Sequence, residues 1–221
     1  MPEKPPPRTT MPGMIWRADK VLDRALDPKQ RGIPKDVFDK CIGIILLSSI
    51  EAGFTFTGKL GTGIFMVKKR DGSWSVPSAI GLTSAGGGFV IGASLKESMI
   101  FIMNQQTLEA LAVNNGLKIG AQAELTLAKW GRSYNLALNC SPAGYGGTVS
   151  LAFSKGLFGG LTLEVAVIGA RRSINEKFYG TNASVLQIVM DEEVSMPQGT
   201  KIDEVYRKLD LLKNVGSAER T

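Results

Sequence analysis

Twenty-two of the chain's 26 glycines lie between Gly43 and Gly180, threaded through apolar residues that mostly alternate. Glycine costs a helix interior about 1 kcal/mol relative to alanine, so this stretch is set against long helices. Strict alternation places successive side chains on opposite faces of a strand. The alternating segments are Phe54-Thr-Phe56-Thr, Ile64–Val67, Phe89–Ala93, Met99–Met103, Ala121–Ala128, Tyr134–Leu138, Val149–Phe153 and Leu161–Val167. Turn signals separate them, among them Asp71-Gly72, Asn115-Gly116 and Gly146-Gly147. The expectation is an α+β chain: mainly antiparallel sheet built from short glycine-rich strands, with helices flanking it. Glycine inside such strands marks bulges, bends and close backbone approach.

The flanks carry helical periodicity. In residues 14–26, Met14, Ile15, Ala18, Val21, Leu22, Ala25 and Leu26 fall within an arc of roughly 140° at about 100° per residue. Arg17, Lys20 and Arg24 lie on one polar flank, Asp19 and Asp23 on the other, and Trp16 lies off the apolar arc. Asp27-Pro28 ends this helix, because a residue before proline is pushed out of the α region. Pro34 opens a short second helix with Val37, Phe38 and Cys41 on its apolar face, and Gly43 stops it. Asn104 caps a helix over Gln105–Ala112. A last helix spans 200–213, with Thr200 and Asp203 as a capping arrangement. Its Ile202, Val205, Tyr206, Leu209 and Leu212 dock on the body, and Gly216 stops it. The organisation expected is one domain over 14–213 with its core at 33–180, a flexible Pro-rich segment 1–13 and a flexible tail 214–221.

Charge bounds the partners. Residues 1–180 hold 21 Lys/Arg against 13 Asp/Glu, net +8, whereas 181–221 hold 5 against 7, net −2. A basic body favours acidic partners. The chain has no histidine, which removes the commonest general base and metal ligand. Cys41 and Cys140 form no metal-binding spacing and read as reduced core residues. Met1 to Arg8 lacks the apolar core of a signal peptide, and the greasy run Ile42–Ile50 is too short to span a bilayer.

Several catalytic patterns fail on inspection. Gly53-Phe-Thr-Phe-Thr-Gly58-Lys59-Leu60 approaches a phosphate-binding loop, but Leu60 stands where a hydroxyl must hold magnesium. A strand entering a glycine turn fits it better. Ala85-Gly86-Gly87-Gly88-Phe89 lacks dinucleotide-loop spacing and reads as a glycine-rich bend in a sheet. Ser154 and Lys155 are neighbours on a strand and point to opposite faces. No carboxylate pairing suits acid–base or metal chemistry. No catalytic residue, metal or cofactor is expected. Nucleic acid is not an expected partner, since the basic residues are scattered and no RNP-like or helix-turn-helix signature is present.

The order of short motifs from Ile33 to Gly180 resembles the SYLF domain. They are Ile33-Pro34-x-x-Val37, Gly43-Ile44, Ala52-Gly53-Phe54, Gly61-x-Gly63, and Asp71-Gly72-Ser73-Trp74-Ser75-x-Pro77-Ser78-Ala79-Ile80-Gly81. Ile91-Gly92, Gly131-Arg132, Ser154-Lys155-Gly156-Leu157-Phe158-Gly159-Gly160 and Asn175-x-Lys177-Phe178-Tyr179-Gly180 follow. The chain departs from the pattern at Glu51 and Glu176, where similar sequences carry basic residues. It departs again at Ala128-Lys129-Trp130-Gly131-Arg132, where the family has Gly-Pro-x-Gly-Arg. No Src-homology-3 or FYVE-type module is visible. The resemblance implies a non-enzymatic module that binds anionic phospholipids, phosphoinositides above all, helped by the N-terminal amphipathic helix. It implies a cytoplasmic protein peripheral to endosomal or plasma membranes, linked to endocytosis, membrane trafficking and cortical actin. Actin-filament binding or bundling is the alternative.

The expected lipid contacts are Arg17, Lys20 and Arg24 on the helix, Lys68, Lys69 and Arg70 before the Asp71-Gly72 turn, and Arg171 and Arg172 after the last long strand. Arg132, at a position the family shares, completes the set. Four cations at an anionic surface contribute about 4 kcal/mol, a millimolar affinity, so apolar insertion is needed as well. Met14, Ile15, Trp16 and Leu22 are the expected inserting residues. The competing reading packs that arc onto the sheet. Trp74 and Phe178-Tyr179 read as packing residues.

Overall fold

The chain runs α1 (Met11–Ala25), α2 (Lys35–Lys40), β1 (Gly43–Gly53), β2 (Phe56–Val67), β3 (Ser78–Ile102), α3 (Gln105–Ala112), β4 (Gly116–Leu127) and β5 (Arg132–Asn135). It continues with β6 (Cys140–Ser141), β7 (Gly144–Tyr145), β8 (Thr148–Ala170), α4 (Arg172–Tyr179), α5 (Val185–Val189) and α6 (Ile202–Val215). The structure is a computed structural model, and it describes residues 4–28, 35–54, 56–113, 116–127, 132–135, 140–141, 144–145, 148–191 and 193–215. Pro34, Asn115, Ala128, residues 129–131 and 136–138, Gly146-Gly147 and Gly216, all given roles above, lie outside the described residues.

The α+β expectation holds, and the sheet is antiparallel throughout its described pairings. Strand length is where sequence and structure part. Phe89–Ala93 and Met99–Met103 belong to one strand, β3, and Val149–Phe153 and Leu161–Val167 to another, β8. These two pair along nearly their whole length, from Ile80↔Ala170 to Ile102↔Thr148. On the far side of β8 lie β4 and β5. The β4 register slips between Ile119 and Gln122, an irregularity that falls at Gly120-Ala121.

β1 and β2 form a hairpin whose two strands both pair antiparallel with β3. They run in opposite directions, so β3 has to swing round the hairpin tip. Phe56↔Gly87 and Gly53↔Gly92 bracket the swing. Gly92 sits at φ +136, a conformation that side chains strongly disfavour. The Gly86–Gly88 run thus stands where β3 begins to bend round the hairpin tip, within one continuous strand.

Two apolar cores lie on opposite faces of this sheet. One holds Ile44, Leu46, Ile64, Met66, Ala79, Met99 and Phe101 beneath α1, α2 and α6. The other holds Ile45, Leu47, Phe65, Ile80, Leu82, Ile100 and Ile168 beneath α3 and α5. α3 begins where Asn104 Oδ1 accepts from Thr107 N at 2.9 Å. α6 docks through Ile202, Val205, Leu209 and Leu212, as its spacing predicts. Thr200 stands two residues before α6, and its hydroxyl donates to Pro197 O at 2.6 Å.

α1 starts three residues earlier than the sequence suggested. Thr10 is its N-cap, accepting from Gly13 N. The preceding segment is not loose. Pro6 O accepts from Arg17, Arg8 donates to Ser48 Oγ, and a Cβ at Gly13 would stand 1.9 Å from Pro7 O. Residues 4–10 form a strap drawn across the N-terminal end of α1.

Candidate functional site

The face of the β1–β2 hairpin that continues the core under α1 is covered only in its lower half. Above Ser48 it opens to solvent, and its side chains there are apolar or small. Ile50 pairs with Leu60, Leu60 with Thr83, and Thr83 with Val167, making one row across four strands. Ile50 is 51% exposed and Leu60 67%. Ala52, Gly58 and Ala85 form the next row, also exposed. At the tip Phe54 and Phe56 stand 73% and 80% exposed. A groove of about 900 Å³ runs over this face, with Arg8 and Arg171 among its lining residues and no acid among them.

The opposite face of the same hairpin is inverted. Ser49, Glu51, Thr57, Lys59, Ser84, Ser94 and Lys96 are all buried there. Lys96 Nζ lies 2.7 Å from Glu51 Oε2, and Lys59 is Glu51's cross-strand neighbour. An ion pair this buried survives only when each charge has its counterpart. Glu51 therefore takes nothing away from a surface basic patch, because it is internal. Glu176, the other acidic departure, is exposed on α4.

The predicted inserting residues are corrected by the packing. Met14, Ile15 and Leu22 are buried in the core under α1, against the sheet, and are unavailable to a bilayer while the helix is docked. Trp16 is partly exposed and lines a separate cavity of about 420 Å³ with Pro6, Pro12, Phe178 and Pro197. The acidic flank of α1 holds it in place: Asp19 and Asp23 both pair with Lys208 of α6. Burial opposes ionisation of Asp23, but hydrogen bonds from Lys20 and Lys208 prevail and hold its carboxyl below the usual range.

The predicted cations are spread over three places. On α1, Arg17 donates to Pro6 O and Gly13 O, 5.5 Å from the Trp16 ring centre. Burial, then the nearby charge of Arg8, pulls its pKa down. Lys20 pairs with Asp23 at 2.8 Å and Asp19 at 3.4 Å, and the Asp23 hydrogen bond chiefly raises its pKa. Arg24 is ion-paired with Glu97 of β3. In the β2–β3 turn, Lys68 donates to Phe38 O and Asp39 O and lies over the Phe38 and Trp74 rings. Lys69 N donates to Ser73 O and Arg70 is exposed. Arg171 and Arg172 stand at the β8–α4 junction. Arg171 lines the open groove, with Cδ and Cγ beside Gly81, and Arg172 is exposed. Arg132 is in β5, opposite Phe153 of β8; its side chain lies outside the described residues.

Sequence reasoning missed Arg8, Ile50, Phe54, Phe56 and Leu60 as surface residues. The signal available was the pair of phenylalanines between Gly53 and Gly58, a place for a hairpin tip. Conversely, the motifs richest in resemblance are structural. Asp71 Oδ1 accepts from Ser73 N and Oγ in the turn, and Trp74 is buried edge-on to Phe38. Asn175 Oδ1 accepts from Ala79 N at 2.7 Å, its Nδ2 donates to Ser78 Oγ, and the Tyr179 hydroxyl donates to Pro77 O. The closing signature thus staples α4 to the start of β3.

No group of metal-ligating side chains occurs among the described residues, and no described helix is long and apolar enough to cross a membrane. The family model for the Ysc84 family, described as "Las17-binding protein actin regulator", matches residues 83–211. LAS seventeen-binding protein 3 of Saccharomyces cerevisiae is 29% identical over 199 residues, covering 88% of this chain and 43% of that protein. Protein YSC84 of the same yeast is 30% identical over 186 residues, covering 82% and 40%. Human SH3 domain-containing YSC84-like protein 1 is 33% identical over 180 residues, covering 80% and 51%. The chain spans about half the length of the relatives it matches, or somewhat less. No solved structure matches it significantly. The chain belongs to the Ysc84 (SYLF) family, whose description is that of an actin regulator.

Proposed function

We propose that the chain is a non-enzymatic, peripheral membrane module that binds anionic phospholipids, phosphoinositides among them, at the cytoplasmic face of endosomal or plasma membranes near cortical actin. The observation that carries this is the open sheet face, with its apolar rows, its arginine margin at Arg8 and Arg171 and a lining free of acids. Each arginine near an anionic surface contributes about 1 kcal/mol, too little alone for micromolar binding, which needs about 8 kcal/mol. The difference must come from apolar contact, and fully burying a Leu or Ile side chain contributes about 1.5–3 kcal/mol. Arg172, Arg70 and Arg132 are candidates for further headgroup contact. In this reading α1 braces the fold and presents Arg17 beside the strap, rather than entering the bilayer.

The test is sedimentation with phosphoinositide-containing vesicles. Binding should weaken as salt rises and fall with Arg8→Glu/Arg171→Glu at a temperature where the variant remains folded. Absence of binding to any anionic vesicle at low salt would sink the reading. A second reading, an actin-filament-binding or bundling adaptor, is favoured by the family's description. Filament pelleting that survives both charge reversals, without vesicle binding, would establish it instead.

A further inference from the structure

We propose that the β1–β2 hairpin tip is a membrane wedge: Phe54 and Phe56 enter the headgroup–acyl boundary of an anionic bilayer while the arginines beside the groove stay at headgroup level. This rests on the lipid reading above and names the element that penetrates. Two phenylalanines exposed at 73% and 80%, two residues apart at one tip, are a standing cost in water. They project from a hairpin, not from a flat patch, and Ile50 and Leu60 extend the apolar surface down one side of the stem.

The stem is stiff. Phe54 N donates to Phe56 O, and β3 flanks both strands up to Gly53 and Phe56. Behind them the buried Lys96–Glu51 pair ties β1 to β3. The strands that carry Phe54 and Phe56 are therefore held by β3, which lowers the ordering cost on binding. Charge selects the occupant. The adjoining groove has arginines and no acid, which suits an apolar layer covered by anionic groups. A narrow projecting tip also needs a surface that parts around it, as lipid does.

The experiment is depth-resolved fluorescence on the full chain. Phe54→Cys, in a Cys41→Ala/Cys140→Ala background, carries an environment-sensitive dye. Val113→Cys, on an exposed position after α3, is the control. With phosphatidylserine vesicles, the dye at 54 should shift blue and be quenched by brominated acyl chains, while the dye at 113 should not. Phe54→Ser/Phe56→Ser should weaken vesicle partitioning by about tenfold per side chain with an unchanged melting temperature. If the unmodified chain binds vesicles but neither the dye nor the double variant responds, the wedge is wrong and the lipid reading stands. If the unmodified chain binds no vesicle, both fail together. A blue shift that needs only high protein concentration assigns the tip to a second copy. Loss of filament pelleting alone in the double variant assigns it to actin. Either result overturns the wedge.

Discussion

Leu22→Ala separates a bracing helix from an inserting one. Leu22 is fully buried in the core under α1, among Met14, Ala18 and the sheet residues Ile44 and Ile64. Deleting such a side chain costs its transfer free energy plus a cavity term, about 2–5 kcal/mol. Taking about 3 kcal/mol, and about 2–4 °C per kcal/mol for a chain of this size, the melting temperature should fall by about 6–12 °C. Thermal and urea unfolding read this directly. Vesicle sedimentation of the same variant, at a temperature where it remains folded, should match the unmodified chain within about twofold, since a residue under the helix makes no lipid contact. The opposite pattern, stability changed by less than about 0.5 kcal/mol with vesicle binding lost, would refute the reasoning and restore α1 as the inserting element.

Three further outcomes follow from the geometry. Lys96→Met breaks the buried 2.7 Å pair with Glu51 and should cost about 3–5 kcal/mol by urea unfolding. Asn175→Ala removes both side-chain bonds to the start of β3 and should destabilise by about 1–3 kcal/mol without changing vesicle affinity. The Lys208 contacts should appear in acid titration. The Asp23 carboxyl is held below its usual pKa, so its contribution is present above the unfolded value and lost as pH falls through the folded one. Lys208→Met should lower stability at neutral pH and flatten that acid limb; an unchanged slope would remove Asp23 from the account.

Much of the fold was legible because local chemistry settles it. Asn104 caps its helix since a side-chain oxygen can meet the Thr107 amide. The arc of α1 and the face of α6 follow from 3.6-residue spacing alone. The lengths of β3 and β8 were not legible, because glycine in a strand looks like an end until a partner strand pairs through it, as β8 does from Gly159 to Gly156. The hairpin misled for a different reason. Alternation assigns apolar residues inward, yet above Leu47 the pattern inverts: Glu51, Lys59 and Lys96 point in, while Ile50, Leu60 and Phe56 point out. Only the coil of β3, which encloses one face and leaves the other bare, decides which side is interior. Likewise the cations of α1 read as an available patch. Lys20 pairs with Asp19 and Asp23 within the helix itself, and the pairing of Arg24 with Glu97 depends on a docked strand that helical periodicity does not reveal.

Hydrogen–deuterium exchange with and without phosphoinositide vesicles tests the central claim most directly. Peptides covering Ile50 to Leu60 should gain protection on binding, and those covering Met14 to Leu22 should exchange as slowly as before. Protection that leaves the hairpin unaltered, or α1 amides that open when lipid is added, would contradict a docked helix beside a lipid-facing sheet edge.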